Sequence, residues 1–196
     1  MADEAVRGVR IRAATPDDAA ALAEIYAPFV RRSHISFETD PPDAVEMRAR
    51  MAASVGLYPW LAAEEESGEV AGYAYAARFR PREAYRFAVE TSVYLRAGAE
   101  NRGLGRRLYA TLLAILKDQG FSQAIAAIAL PNDSSVRLHE KLGYRQAGTY
   151  QRVGYKLGRW WDVGLWQLPL AATTDPPTEP RPDTASDLAE ALSRSG

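Results

Sequence analysis

Two side chains in this sequence are of a type to move protons near neutral pH in a defined setting, Glu90 and His139. An imidazole titrates near pKa ~6.5, which suits proton transfer at neutrality. A glutamate titrates near ~4.3, so Glu90 needs burial, or a bridging water, to serve as a base. Glu90 lies in Ala88–Leu95, a run of β-branched and aromatic residues that reads as a strand. The strand leads into a loop over residues 98–105 containing Gly98, Gly103 and Gly105, and then into a helix. Two glycines let the backbone approach a ligand closely. The free N–H groups and dipole of the following helix favour a phosphate or pyrophosphate, and Arg102, Arg106 and Arg107 add positive charge. Taken alone, such a loop is equally well a plain turn with a solvated basic face. The dinucleotide fingerprint fails, because Leu108 stands where its third glycine belongs, and the phosphate loop of nucleotide hydrolases is absent.

His139 falls on a short helix opened by Asn132-Asp133-Ser134, where Asn132 is a natural cap. Read singly, it is as well a packed or surface histidine, and Glu90 as well a solvent-facing strand residue. His34 has no chemical context and reads as structural. Residues 78–86 hold Arg78, Arg80, Arg82 and Arg86 among Phe79 and Tyr85. Arginine forks hold carboxylates or phosphinates in fixed geometry. At least two of the four are expected simply to be solvated.

The elements that must position these groups follow from periodicity and punctuation. Residues 9–11 read as a first strand. Thr15-Pro16-Asp17-Asp18 opens a helix with a capping box and proline in its first turn. Leu22, Ile25, Tyr26 and Phe29 fall on one face of it. A second helix is expected from residue 43 to about 54, with Val45, Met47, Met51 and Val55 near its apolar side. Trp60–Glu65 and residues 70–77 form a hairpin across Ser67-Gly68. Leu104, Leu108, Leu112 and Ile115 lie at helical spacing, and Gly120 ends that helix. Gln123–Leu130 is a buried strand, a short helix runs from 132 to 143, and residues 145–152 and 161–168 make the last two strands. This order predicts one α/β domain with a mixed, partly antiparallel sheet flanked by helices, over residues 1–170. Residues 171–196 hold Pro176, Pro177, Pro180 and Pro182. They are expected to be a disordered tail over 171–183, with at most a marginal helical turn or two over 186–192.

Composition narrows the chemistry. The 196 residues carry 24 Lys+Arg against 25 Asp+Glu, so no basic excess points to nucleic acid. With no cysteine, disulfides, thiolate nucleophiles and cysteine-bound metal are excluded, and two histidines far apart offer no metal site. No apolar run is long enough for a membrane span, and the N-terminus lacks a signal peptide's apolar stretch. A cytoplasmic protein is expected, with neither membrane nor nucleic acid as partner.

Taken together, Tyr58-Pro59-Trp60-Leu61, Val70-Ala71-Gly72-Tyr73, Glu90-Thr91-Ser92-Val93-Tyr94, Arg102-Gly103-Leu104-Gly105, Leu130-Pro131-Asn132-Asp133, Ser135-Val136-Arg137-Leu138-His139-Glu140, Leu142-Gly143-Tyr144 and residues 162–168 are far more specific than any one motif. Over about residues 8–170 the chain resembles the GCN5-related N-acetyltransferases, in particular the branch that acetylates phosphinothricin and methionine sulfone. The resemblance implies acetyl-CoA as co-substrate, a small amino-acid-like amine as acceptor, no metal, and a homodimer. It implies Glu90 as general base and His139 as proton donor at the cofactor end. The cofactor would lie against Val93, Tyr94, Leu95, Asn101, Arg102, Gly103, Leu104, Gly105, Arg106 and Asn132, with the N–H of Val93 or a neighbour as oxyanion donor beside a bulge that splays its strand. Phe37, Arg82, Tyr85, Ser92 and Lys156 would meet the acceptor. One position departs from the pattern: Glu100 stands where the family loop usually has Gln or Arg, and a carboxylate beside a pyrophosphate is repulsive unless it turns away. The opposing reading is a module of this fold that binds acyl-CoA without catalysis.

Overall fold

Seven strands form a single sheet in the order β1-β2-β3-β4-β5-β7-β6 in the computed structural model, which describes residues 8–171 and 174–194. The strands are β1 (Val9–Ala13), β2 (Trp60–Glu65), β3 (Val70–Arg78), β4 (Ala88–Leu95), β5 (Gln123–Leu130), β6 (Arg145–Lys156) and β7 (Arg159–Pro169). All neighbours are antiparallel except β4 and β5. The helices are α1 (Ala19–Arg32), α2 (Ala44–Ser54), α3 (Leu104–Asp118), α4 (Asp133–Lys141) and α5 (Ala185–Arg194). The expected mixed sheet with flanking helices is what the chain forms.

Alternation along the strands builds two cores on opposite faces. Leu61, Ala74, Val89 and Ala126 meet Leu104, Leu108, Leu112 and Ile115 of α3 on one face. Ala62, Tyr73 and Tyr94 meet Leu22, Tyr26, Met47 and Met51 of α1 and α2 on the other. The capping signals hold locally: the Asp18 carboxylate accepts from Thr15 N at 2.7 Å and from Thr15 Oγ1 at 3.2 Å, and Asp43 Oδ1 accepts from Glu46 N at 2.8 Å. A short 3-10 turn, Pro16–Asp18, precedes α1. Val45 and Val55 are exposed rather than apolar-face residues. Two positions along a helix is a rotation of ~200°, so Val45 points away from Met47, and Val55 lies beyond the last turn.

The feature that positions the site is a parting of β4 from β5. They pair over only Ala88↔Gln123, Val89↔Ala124 and Glu90↔Ile125. Beyond Glu90, β4 stays with β3 as far as Gly72↔Leu95, and β5 stays with β7 as far as Leu130↔Asp162. The expected bulge is not what opens the wedge, because the β3–β4 register runs without a shift; the parallel pairing simply ends.

Two corrections concern the C-terminal third. Strands β6 and β7 run longer than 145–152 and 161–168, to a two-residue turn at Leu157 (φ 52°) and Gly158 (φ 77°). A bulge around Arg152, between Tyr150 and Gly154, breaks the alternation that would have revealed the full strands. Much of the segment expected to be a disordered tail packs on the domain, through contacts spread over residues 179–194. Arg181 N donates to Gln119 O at 2.9 Å, and Gln119 Nε2 returns a bond to Arg181 O at 3.1 Å. Asp187 caps α5 from Thr184 and pairs with Arg181. Ala191 is fully buried, with Leu188 and Leu192 packed on the same core. A helix too short to be stable alone in water is thus stabilised by tertiary burial, which composition alone does not register. Residues 1–7 of the expected domain, and 172, 173, 195 and 196 of the expected tail, lie outside the described residues.

Candidate active site

The wedge between β4 and β5 is a cleft of about 600 Å³. Its walls are residues 91–95 of β4 and 127–129 of β5. Residues 100, 101 and 103–106 form one end, and Asn132, Ser134 and Ser135 at the start of α4, with His139 in its last turn, form another. Arg96 N donates to Ala71 O, and the β3–β4 register is continuous. Strand alternation therefore turns the N–H groups of Val93 and Leu95 away from β3, toward the opening. These are backbone donors that no neighbouring strand covers.

At the loop, Gly103 has φ 80° and caps α3, and Asn101 also lies in the left-handed region at φ 61°. A Cβ on Gly105 would make only ordinary contact with Leu138 and Leu95, so that glycine leaves the helix start bare rather than preventing a clash. Glu100 Oε2 accepts from Gly98 N at 2.7 Å, folding its carboxylate back on its own turn. Arg102 is the exception among the expected cofactor residues: its guanidinium donates to Glu65 Oε1 on β2 at 2.8 Å, and it is not part of the cleft wall. Asn132 Oδ1 accepts from Ser135 N at 3.2 Å and from Ser134 Oγ at 3.0 Å, so it caps α4 while lining the cleft.

Glu90 stands at the last β4–β5 pair. It shares the α1 face of β4 with Ser92 and Tyr94, two residues short of the cleft wall. Burial raises its carboxyl pKa, partly offset by the Arg80 guanidinium. Ser92 lines the cleft and shares a hydrogen bond with the Tyr75 hydroxyl. His139 is buried, with Nδ1 2.7 Å from Ser135 O and Nε2 2.9 Å from Tyr109 Oη. A carbonyl only accepts, so Nδ1 carries a proton. Burial lowers the imidazole pKa, opposed by the Ser135 carbonyl. Ser135 Oγ lies 3.3 Å from the same Nδ1.

The residues expected to meet the acceptor come from separate elements: Phe37 and Arg82 from loops, Tyr85 from a 3-10 turn, Ser92 from β4 and Lys156 from the end of β6. Phe37 presses on β6 at Gly154, where a Cβ would collide with its ring. Lys156 Nζ donates to Val30 O and Ser36 O, both at 2.6 Å, so it fastens the α1–α2 connection to β6 rather than standing free for a ligand. Its own pKa is lowered by burial, against the raising effect of Glu38. Glu38 holds the same connection through a fork with Arg50 at 2.8 Å and through Tyr26 Oη at 2.9 Å. Arg82 and Tyr85 are exposed, flanking a 3-10 turn, with Tyr85 edge-on to Phe79 at 5.7 Å. His34 is structural in its contacts: it stacks on Trp161 at 3.9 Å and reaches Pro131 O at 2.9 Å. Sequence reading missed Phe29, Ile35, Ala127 and Ser135 as cleft walls. The small side chains at 126, 127 and 129 are the signal that was available.

A sheet that parts beside a glycine loop, with backbone donors facing the gap and a carboxylate at its apex, defines an acyl-thioester site. Residues 11–165 match the family model described as an acetyltransferase (GNAT) domain, and the chain belongs to that family of acetyl-CoA-dependent N-acetyltransferases. It is 44% identical over 176 residues to a phosphinothricin N-acetyltransferase of Streptomyces viridochromogenes, covering 90% of this chain and 93% of that protein. It is 36% identical to an L-methionine sulfoximine/L-methionine sulfone acetyltransferase of Pseudomonas paraeruginosa, covering 85% and 98%. Among solved structures, a GNAT superfamily phosphinothricin acetyltransferase from Sinorhizobium meliloti in complex with acetyl-CoA superposes with a TM-score of 0.81 at 36% identity, covering 92% of this chain and 97% of that one.

Proposed function

We propose that this enzyme acetylates the amine of a small amino-acid-like acid of the phosphinothricin, methionine sulfoximine or methionine sulfone type. The observation that carries the reading is the wedge itself: Glu90 stands at its apex, Val93 N–H faces into it, and the glycine loop lies at its far end. Acetyl-CoA supplies the thioester when bound. The amides at 103–106 and the bare helix start suit its pyrophosphate, and Asn132 is placed for the pantetheine arm. With no cysteine to carry an acetyl group, the amine attacks directly. Val93 N–H stabilises the oxyanion. Glu90 accepts the amine proton, directly or through a water, and its raised pKa brings it nearer the working range of a base. His139 assists at the cofactor end, where the thiolate leaves. Arg82 and Tyr85 contact the acid, with Phe37 as a wall; Lys156 shapes the pocket by holding the loop that carries Phe37. Substrates named for relatives support this acceptor class.

The protein is further proposed to act in the cytoplasm as a homodimer. No helix among the described residues is long and apolar enough to cross a membrane, and Tyr150, Val153, Tyr155, Leu157 and Trp160 leave an exposed apolar surface on the β6–β7 hairpin. Free-CoA release measured with phosphinothricin, methionine sulfoximine and methionine sulfone tests the acceptor. Turnover of all three no faster than of unrelated amines would reject it. Acetyl-CoA binding without any turnover would favour a non-catalytic module. A monomeric mass at micromolar concentration would reject the dimer.

A further inference from the structure

At the cleft wall and behind it, four buried polar side chains meet where β4 and β5 part, Thr91 and His139 lining the cleft and Tyr109 and Tyr144 standing behind them. Thr91 of β4, Tyr109 of α3, His139 of α4 and Tyr144, just before β6, are each no more than 4% exposed. Tyr109 Oη lies 2.9 Å from His139 Nε2 and 2.9 Å from Thr91 Oγ1. Thr91 Oγ1 in turn lies 2.9 Å from Tyr144 Oη and 3.2 Å from Ile125 O. Thr91 is the first residue past the last β4–β5 pair, and Ile125 is the β5 member of that pair. The chain of hydroxyls therefore bridges the two strands at the root of the wedge.

The protons in this cluster can be counted. Five contacts need one each: His139 Nδ1 to Ser135 O, Nε2 to Tyr109, Tyr109 to Thr91, Thr91 to Tyr144, and Thr91 to Ile125 O. A neutral imidazole protonated on Nδ1 supplies one proton, and the three hydroxyls supply three. One contact is left with two acceptors facing each other, which is costly in a buried place. An imidazolium supplies the fifth proton and every contact is made, with bonds running His139 to Tyr109 to Thr91 to Ile125 O.

We propose that Thr91 and Tyr109 are positioning residues of the transferase, which set the proton inventory of His139 and pin the root of the β4–β5 wedge. The inference rests on reading the cleft as the acetyl-transfer site. No charged side chain acts on the imidazole in this cluster; the groups facing it are Tyr109 from α3, Tyr144, the Ser135 carbonyl and, at the longer 3.3 Å, the Ser135 hydroxyl, which carries its own proton, and burial opposes protonation of the ring. The network thus offsets part of what burial takes away.

The variant Thr91→Val keeps the shape and removes one oxygen. Tyr109 can then donate to Nε2 and Tyr144 can turn to Tyr109, with which it already interacts. The neutral ring becomes fully satisfied, and the imidazolium would leave one hydroxyl proton without an acceptor. The His139 pKa, followed by NMR of its ring in the intact protein, should fall by about one unit. Tyr144→Phe removes a contact and a proton together, so the count still favours the imidazolium and the pKa should stay near the wild-type value. An unchanged pKa in Thr91→Val overturns the proposal, as does an equal fall in both variants, which would signal general loosening of the core. If Thr91→Val does not fold, Tyr109→Phe replaces it. Lacking any Nε2 partner, that variant should lower the pKa at least as far, and an unchanged value there would equally overturn the proposal. The readout needs no turnover, so it stands apart from acetyl-CoA calorimetry, whose failure would instead strike at the reading of the cleft.

Discussion

The two halves of the site are built in different ways. The cofactor half comes from a nearly continuous stretch, residues 90–106, closed by the start of α4. Its working parts are backbone N–H groups and the absence of side chains at Gly103 and Gly105, held from behind by a buried hydroxyl cluster. The proposed acceptor half draws on loops around residues 37 and 82 and on the end of β6 at Lys156. Its side chains are partly exposed, and it depends on tethers such as Lys156 to the α1–α2 connection and Glu179 to Arg86. One half is a property of main-chain geometry and the other of side-chain supply. Substitutions should therefore separate into effects on acetyl-CoA affinity and effects on acceptor KM, meeting only at Glu90.

The sharpest test of that division lies at the junction. Glu90→Gln should lower kcat at neutral pH by about 10²- to 10⁴-fold with acetyl-CoA affinity little changed. The wild-type carboxyl pKa is raised by burial, so its base form, and the rate, are lost as pH falls through that raised value. The Gln variant lacks this limb and should recover partly as pH rises and the amine deprotonates by itself. An unchanged pH–rate profile would remove Glu90 from the mechanism. Next in size, Gly103→Val forces a side chain onto a φ of 80° at the cofactor loop. The strain should weaken acetyl-CoA binding about 10- to 100-fold, and calorimetry showing normal affinity would refute the loop assignment.

On the acceptor side the effects should be smaller and leave the cofactor alone. Arg82→Ala should raise acceptor KM about tenfold through loss of a charge-assisted bond; a loss of acetyl-CoA affinity instead would break the division. Lys156→Met frees the Val30 and Ser36 carbonyls and should raise acceptor KM about threefold without touching the thioester site. A larger effect on kcat than on KM would mean that Lys156 acts on the reaction itself. Last, Glu179→Gln removes an exposed ion pair, whose contribution should be too small to measure. A clear rise in acceptor KM there would give the C-terminal segment a functional as well as a packing role.

Much of this molecule was legible in its residues, for identifiable reasons. Ala88–Leu95 and Gln123–Leu130 match the structure end to end because β-branched, aromatic and small apolar residues dominate both between turn signals. The glycine loop was visible because close backbone approach leaves a composition trace. The ion pair of Arg102 was hidden because its position beside Gly103 says nothing of Glu65, 37 residues away in sequence. Lys156 was read as a substrate contact because a lysine's partners are invisible when they are backbone carbonyls more than a hundred residues off. The length of β6 was hidden by its bulge, and the order in residues 174–194 by a composition that describes solubility rather than docking.

The sequence by itself determined the order of elements, the caps that start the first helices, the glycine loop, and the absence of any cysteine nucleophile. These depend on neighbours within a few positions, where propensity and sterics act without help. Only the tertiary structure decided where β4 leaves β5, and that Thr91, Tyr109 and Tyr144 stand behind the His139 ring. The Nδ1 proton of His139 follows from a carbonyl only four residues back on its own helix, whereas the cluster behind the ring depends on groups 18 to 53 residues apart meeting in a buried place. There an unmatched hydrogen bond is costly enough to set a proton's position, and no local pattern records the match.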